Sequence, residues 1–149
     1  MENELNNQSI EAVKKICRKH SIDLNQISIE CIDDFVEIKI FHPVNLERYV
    51  SISTQNDEVL VGIEFNHLHF PEFSDQDNIP DLIASLTDIL DKYLSGSISS
   101  FAASSNSKRI VGGHRTSPID KYDIKKSFKH VKKIEVYNWN NPEIEIIFI

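Results

Sequence analysis

Within residues 35–42, "FVEIKIFH", apolar and polar side chains alternate from Val36 to Ile40. Val36, Ile38 and Ile40 point one way and Glu37 and Lys39 the other, the period of a half-buried strand. Upstream, "ISIECI" at 27–32 runs into Asp33-Asp34, a pair suited to a tight turn. Downstream, "PVN" and "QND" separate "LERYVSIST" at 46–54 from "EVLVGIEFNHLH" at 58–69. Connections this short join antiparallel neighbours, because parallel strands need long crossovers. Four strands in an antiparallel meander are therefore expected. Leu46, Arg48, Val50 and Ile52 share a face of the third strand. Val59, Val61, Ile63, Phe65, His67 and His69 share a face of the fourth.

Helical spacing flanks the meander. In residues 79–94, "IPDLIASLTDILDKYL", Leu82, Ile83, Leu86, Ile89, Leu90, Tyr93 and Leu94 form one stripe. Pro80 suits the first turn and Gly96 the stop. This helix is expected to lie across one face of the sheet. In residues 8–20, Ile10, Val13, Ile16 and Cys17 fall on one side, with Ser9 as a plausible N-cap and basic residues late in the helix. The last third reads as a hairpin around Asn106-Ser107, a short helix or irregular segment at 119–130, and two strands joined through "NNP". The expected class is α+β: an antiparallel meander sheet with an N-terminal helix and one main amphipathic helix packed on it, and further strands at the C-terminus. Residues 1–149 are expected to form a single domain.

Charge narrows the function. Sixteen Lys+Arg stand against 23 Asp+Glu, a net charge of −7. Binding nucleic acid over the whole surface requires a basic footprint that this chain lacks. The imbalance is uneven: net −11 over residues 1–100 and +4 over 101–149. The N-terminus carries no apolar signal core, and no apolar run approaches the ~20 residues of a membrane span, so a cytoplasmic location is expected. Cys17 and Cys31 read as reduced small hydrophobes, with a single disulfide as the alternative.

Three stretches bear on chemistry. In "FNHLHF" (65–70), His67 and His69 have a spacing that grips metal when a third ligand is added. Glu72 is near in sequence, and His42 and His114 are candidates in space. The run Gly62, His67, His69, Glu72 misses the cupin metal spacing, and no metal or other cofactor is expected. "IVGGHR" lacks the pattern of a phosphate loop, so Gly112-Gly113 mark a bulge or a close backbone approach. Residues 71–91 hold Glu72, Asp75, Asp77, Asp81, Asp88 and Asp91 and no base. Such a patch either solvates a helix and matches its dipole or docks a basic protein.

"GIEFNHLHF", the acidic "PEFSDQDNIPDLIASLTDILDKYL" and the late strand "KKIEVYNW" together resemble immunity proteins of bacterial polymorphic toxin systems, in particular those of contact-dependent growth inhibition. The resemblance runs over roughly residues 35–149. It implies a non-enzymatic protein that binds one cognate toxin domain, often a nuclease, in the same cytoplasm, with no direct contact to nucleic acid or membrane. Glu72, Asp75, Asp77 and Asp81 are the expected charge contacts, and Phe73 an expected aromatic anchor. Phe70 and Trp139 read as core instead. The alternatives are a small metal-dependent enzyme using His67, His69 and Glu72, or a generic protein-interaction module.

Overall fold

The computed structural model describes residues 3–64, 66–71, 78–106 and 108–149, with only the backbone of Ile110. It confirms the α+β class, with three α-helices and two antiparallel sheets among the described residues. The chain divides into two compact units: residues 1–63 with 67–91, and residues 64–66 with 92–149.

The first unit begins with helix α1 (Glu4–Lys19). Its N-cap is Asn3, whose side chain accepts from the Asn6 amide, upstream of the expected start. Ser9 is instead buried inside the helix. The five-stranded sheet then runs in sequence order: β1 (Ile27–Ile32), β2 (Phe35–Phe41), β3 (Tyr49–Ser53), β4 (Val59–Ile63) and β5 (Asn66–Phe70). Alternation in β2 is complete, with Val36, Ile38 and Ile40 buried and their neighbours half-exposed. Val50 and Ile52 of β3 and Val59, Val61 and Ile63 of β4 extend the same buried face. Asn6 ties α1 to this sheet: its Nδ2 donates to the Asp34 carbonyl at 2.9 Å, and its Oδ1 accepts from the Thr54 hydroxyl.

One expected strand is in fact two. Residues 58–69 break between β4 and β5, and Glu64 takes a left-handed φ of 56°. A two-residue connection reverses the chain and shifts the parity of every residue beyond it. Asn66 and Phe70 are therefore buried and Leu68 half-buried, while His67 and His69 are exposed. The histidines do not continue the Val59 stripe. His67 instead faces Gly62, where a β-carbon would stand 3.5 Å from its Nδ1.

Helix α2 (Ile79–Leu94) has the expected bounds. Asn78 caps it, its Oδ1 accepting from the Asp81 amide at 2.9 Å. Leu82, Leu86, Leu90, Tyr93 and Leu94 are buried, and Ile83 and Ile89 half-buried.

The second unit holds a four-stranded sheet in the order β7-β6-β8-β9, from β6 (Ile98–Ser105), β7 (Lys108–Thr116), β8 (Lys133–Tyr137) and β9 (Glu145–Phe148), with helix α3 (Lys121–Ser127) between β7 and β8. Phe101, Ala103, Ile124, Val131, Ile134 and Val136 make its core. The register of β6 against β7 slips between Ala103 and Ser104, a bulge beside the expected glycine pair. Gly112 also provides a close approach, because a β-carbon there would collide with Asn66 Oδ1. Asn66 is the buried staple of this region, donating from Nδ2 to Ser100 Oγ, the Phe101 carbonyl and the Gly113 carbonyl.

Candidate functional site

Of the five residues expected to meet a partner, Glu72, Phe73, Asp75 and Asp77 lie outside the described residues, as does Phe65. Asp81 is exposed in the first turn of α2, where the helix dipole favours a carboxylate. Asp91, at the other end of the acidic stretch, has a structural task. Its Oδ1 accepts from Lys19 Nζ at 2.9 Å and His20 Nε2 at 2.8 Å, joining the end of α1 to α2. The Lys19 and His20 hydrogen bonds hold its carboxyl below the ordinary value. The basic end of α1 thus neutralises part of the acidic run, a pairing that residues so far apart in sequence do not announce.

The metal alternative gains no ligand set. Among the described residues no three His, Cys, Asp or Glu side chains are grouped to hold a metal ion. His69 Nδ1 lies 3.8 Å from Glu58 Oε2. His42 is buried, and its Nδ1 accepts from the Val44 and Asn45 amides at 3.1 and 3.0 Å, so that lone pair holds the β2–β3 connection. His114 belongs to the second unit, and both its ring nitrogens are buried without a partner among the described residues. Burial, then the Arg115 charge, pushes its pKa down.

The cysteines are free. Burial pushes the Cys17 thiol up to about 11, which leaves it protonated and inert at neutral pH. Cys31 is exposed on β1. Phe70 and Trp139 are core residues, as expected, and Trp139 packs against Tyr93 with ring centroids 5.9 Å apart.

Charge separates by unit as it does along the sequence, −11 against +4. Counted over their residues, the first unit carries seventeen acids against six bases and the second six against ten. Within the first unit, Glu30 and Glu37 stand directly opposite each other on β1 and β2, and among the described residues neither has an ion-pair partner. Asp33 and Asp34 are exposed at the hairpin tip beside them. Lys39, the base on the same face, lies over the Tyr49 ring at 5.0 Å. Sequence reading missed Glu30 and Glu37 as a pair, although their equal distance from the Asp33-Asp34 turn was a usable signal.

The first unit also exposes apolar side chains, with Ile29 on the face of β1 opposite to Glu30. Leu24 is 53% and Ile29 39% exposed. A separate groove of about 600 Å³ lies between α1 and α2, with Ala12, Ile16, Ile83 and Thr87 among its lining residues and Lys15, Arg18 and Lys19 basic residues along it. No helix among the described residues is long and apolar enough to cross a membrane.

No protein-family model matches the chain. No solved structure matches it. Among curated proteins, a tRNA (guanine(37)-N(1))-methyltransferase of Encephalitozoon cuniculi (strain GB-M1) is similar, with 35% identity over 68 residues, 44% of this chain and 19% of that protein. The chain therefore spans about a fifth of the length of the curated relative that it matches.

Proposed function

We propose that this chain is a cytoplasmic immunity protein, without enzymatic activity, that neutralises a basic toxin domain by electrostatically steered binding. The observation that supports this reading best is the uncompensated acid of the first unit, seventeen carboxylates against six bases, with Glu30 facing Glu37 across two strands. Directly opposed like charges cost stability in the free protein. A cationic partner offsets that cost and is drawn in faster by the same field. The acidic run that leads into the first turn of α2 adds Glu72, Asp75, Asp77 and Asp81 to the contact, with Phe73 as an anchor.

Co-expression with the toxin-like C-terminal domain of an adjacent reading frame should restore growth, and the purified pair should associate at a rate that falls with salt. Reversing Glu72, Asp75, Asp77 and Asp81 to Lys should slow association and flatten its salt dependence. Unchanged association kinetics would remove that run from the contact, and failure to restore growth against every adjacent toxin domain would remove the reading.

A further inference from the structure

Among the described residues, strand β1 is a sheet edge whose one charged side chain, Glu30, points away from the buried face. It has one neighbour, β2, and pairs with it over all six residues without a bulge. Among the described residues, the one backbone hydrogen bond of β1 given outside the β1–β2 ladder is at its start, where the Ile27 amide donates to the Leu24 carbonyl, and none reaches residues 28–32. Natural edges are blunted by lysine, proline, bulges or an inward-pointing charge. "ISIECI" has no lysine or proline, and its residues on the buried face of the sheet are Ile27, Ile29 and Cys31. Those three stand opposite Ile40, Ile38 and Val36, which are buried, yet Ile29 and Cys31 are themselves exposed. An unblocked edge with an uncovered apolar row is built for a further strand.

Charge selects the occupant. The other face of β1 carries Glu30, opposite Glu37 and without an ion-pair partner among the described residues, with Asp33 and Asp34 at the adjoining turn and Asp23 exposed just upstream. A second copy of β1 would bring a further Glu30 to this surface. We infer that the free edge of β1 is a docking strand, completed by an extended basic segment of a partner protein. Its apolar residues cover Ile29 and Cys31, and its Lys or Arg residues face Glu30. The inference deepens the partner-binding reading above and rests on it.

Cys31 supplies a native probe, because Cys17 is buried and inert. The experiment uses the whole chain and a short synthetic peptide of alternating valine and lysine, with a valine–glutamate peptide as control. The basic peptide should slow alkylation of Cys31 and shift the amide resonances of residues 27–32, and the acidic peptide should do neither. Glu30→Lys should weaken peptide binding roughly tenfold or more. Ile29→Lys, an inward charge at an exposed position, should abolish it while circular dichroism shows the fold intact. The inference is overturned if neither peptide binds, if both bind alike, if the shifts fall elsewhere, or if the free protein is a dimer with Cys31 already protected. A toxin domain that binds while Cys31 alkylation stays unchanged overturns this inference and keeps the immunity reading. Peptide capture at β1 with no toxin domain bound keeps the strand site and removes the immunity reading.

Discussion

Ile29 and Ile38 stand opposite each other across β1 and β2, on the same face of one sheet, yet Ile38 is fully buried and Ile29 is 39% exposed. Identical chemistry in register does two different things, because the covering of the sheet stops short of its edge. Truncation should separate them. Ile38→Ala should cost about 2–5 kcal/mol in chemical denaturation, the range for emptying a packed site. Ile29→Ala should cost under about 1 kcal/mol, since much of that side chain already meets water. Equal losses would show that β1 is covered in solution.

The Glu30–Glu37 pair predicts a conflict between stability and binding. Glu30→Lys converts opposed like charges into opposed unlike ones and should stabilise the free protein by roughly 0.2–1 kcal/mol. The gain should shrink as salt rises. The same substitution should weaken capture of a basic partner, so thermal melts and titrations should move in opposite directions.

Asn66 and Gly112 form a coupled pair in the second unit. Asn66→Ala leaves Ser100 Oγ, the Phe101 carbonyl and the Gly113 carbonyl short of a donor, at a cost of about 1–3 kcal/mol. Gly112→Ala should also destabilise, because the new methyl group meets Asn66 Oδ1 and stands 3.2 Å from the Phe101 carbonyl oxygen. The double variant should lose less than the sum, since removing the Asn66 side chain opens part of that space. A double-mutant cycle should give a coupling above about 0.5 kcal/mol, and strict additivity would argue against the contact.

Acid should weaken the protein in two separate windows. His114 has a folded pKa below its ordinary value near 6.5 because burial disfavours its charged form. The unfolded chain therefore takes up the proton first. Stability is complete above about pH 6.5 and declines as pH falls toward the folded pKa. His114→Leu should flatten that decline. Asp91 also has a lowered pKa, from Lys19 and then His20. Its contribution is present above about pH 4, the ordinary carboxylate range, and is lost as pH falls through its folded value. Asp91→Asn should therefore differ from wild type at neutral pH and converge with it in strong acid, with a smaller difference at high salt. Urea midpoints measured across pH resolve both windows.

Where local signals agreed, the chain's sequence was sufficient. The alternation of 36–40, the Asp33-Asp34 turn and the stripe of 79–94 each depend on neighbours within a few residues, and β2 and α2 lie where those patterns place them. Reading 58–69 as one strand failed because apolar alternation does not record a reversal. The left-handed Glu64 flips the parity of the residues beyond it, and His67 and His69 leave the core face. Helix α1 begins at Glu4 because Asn3 is the cap that its first turn uses, while Ser9 fits the same pattern but is buried. The candidate surface was legible only as a charge excess. Which carboxylates are spent depends on side chains brought together from distant positions, as Asp91 is on Lys19 and His20. The same holds for Glu30 and Glu37, which face each other with no ion-pair partner among the described residues. Periodicity determined which residues of β1 face the apolar side. Only the tertiary structure decided that this side stays uncovered at the edge, because coverage depends on where the packed elements end and not on the strand's own residues.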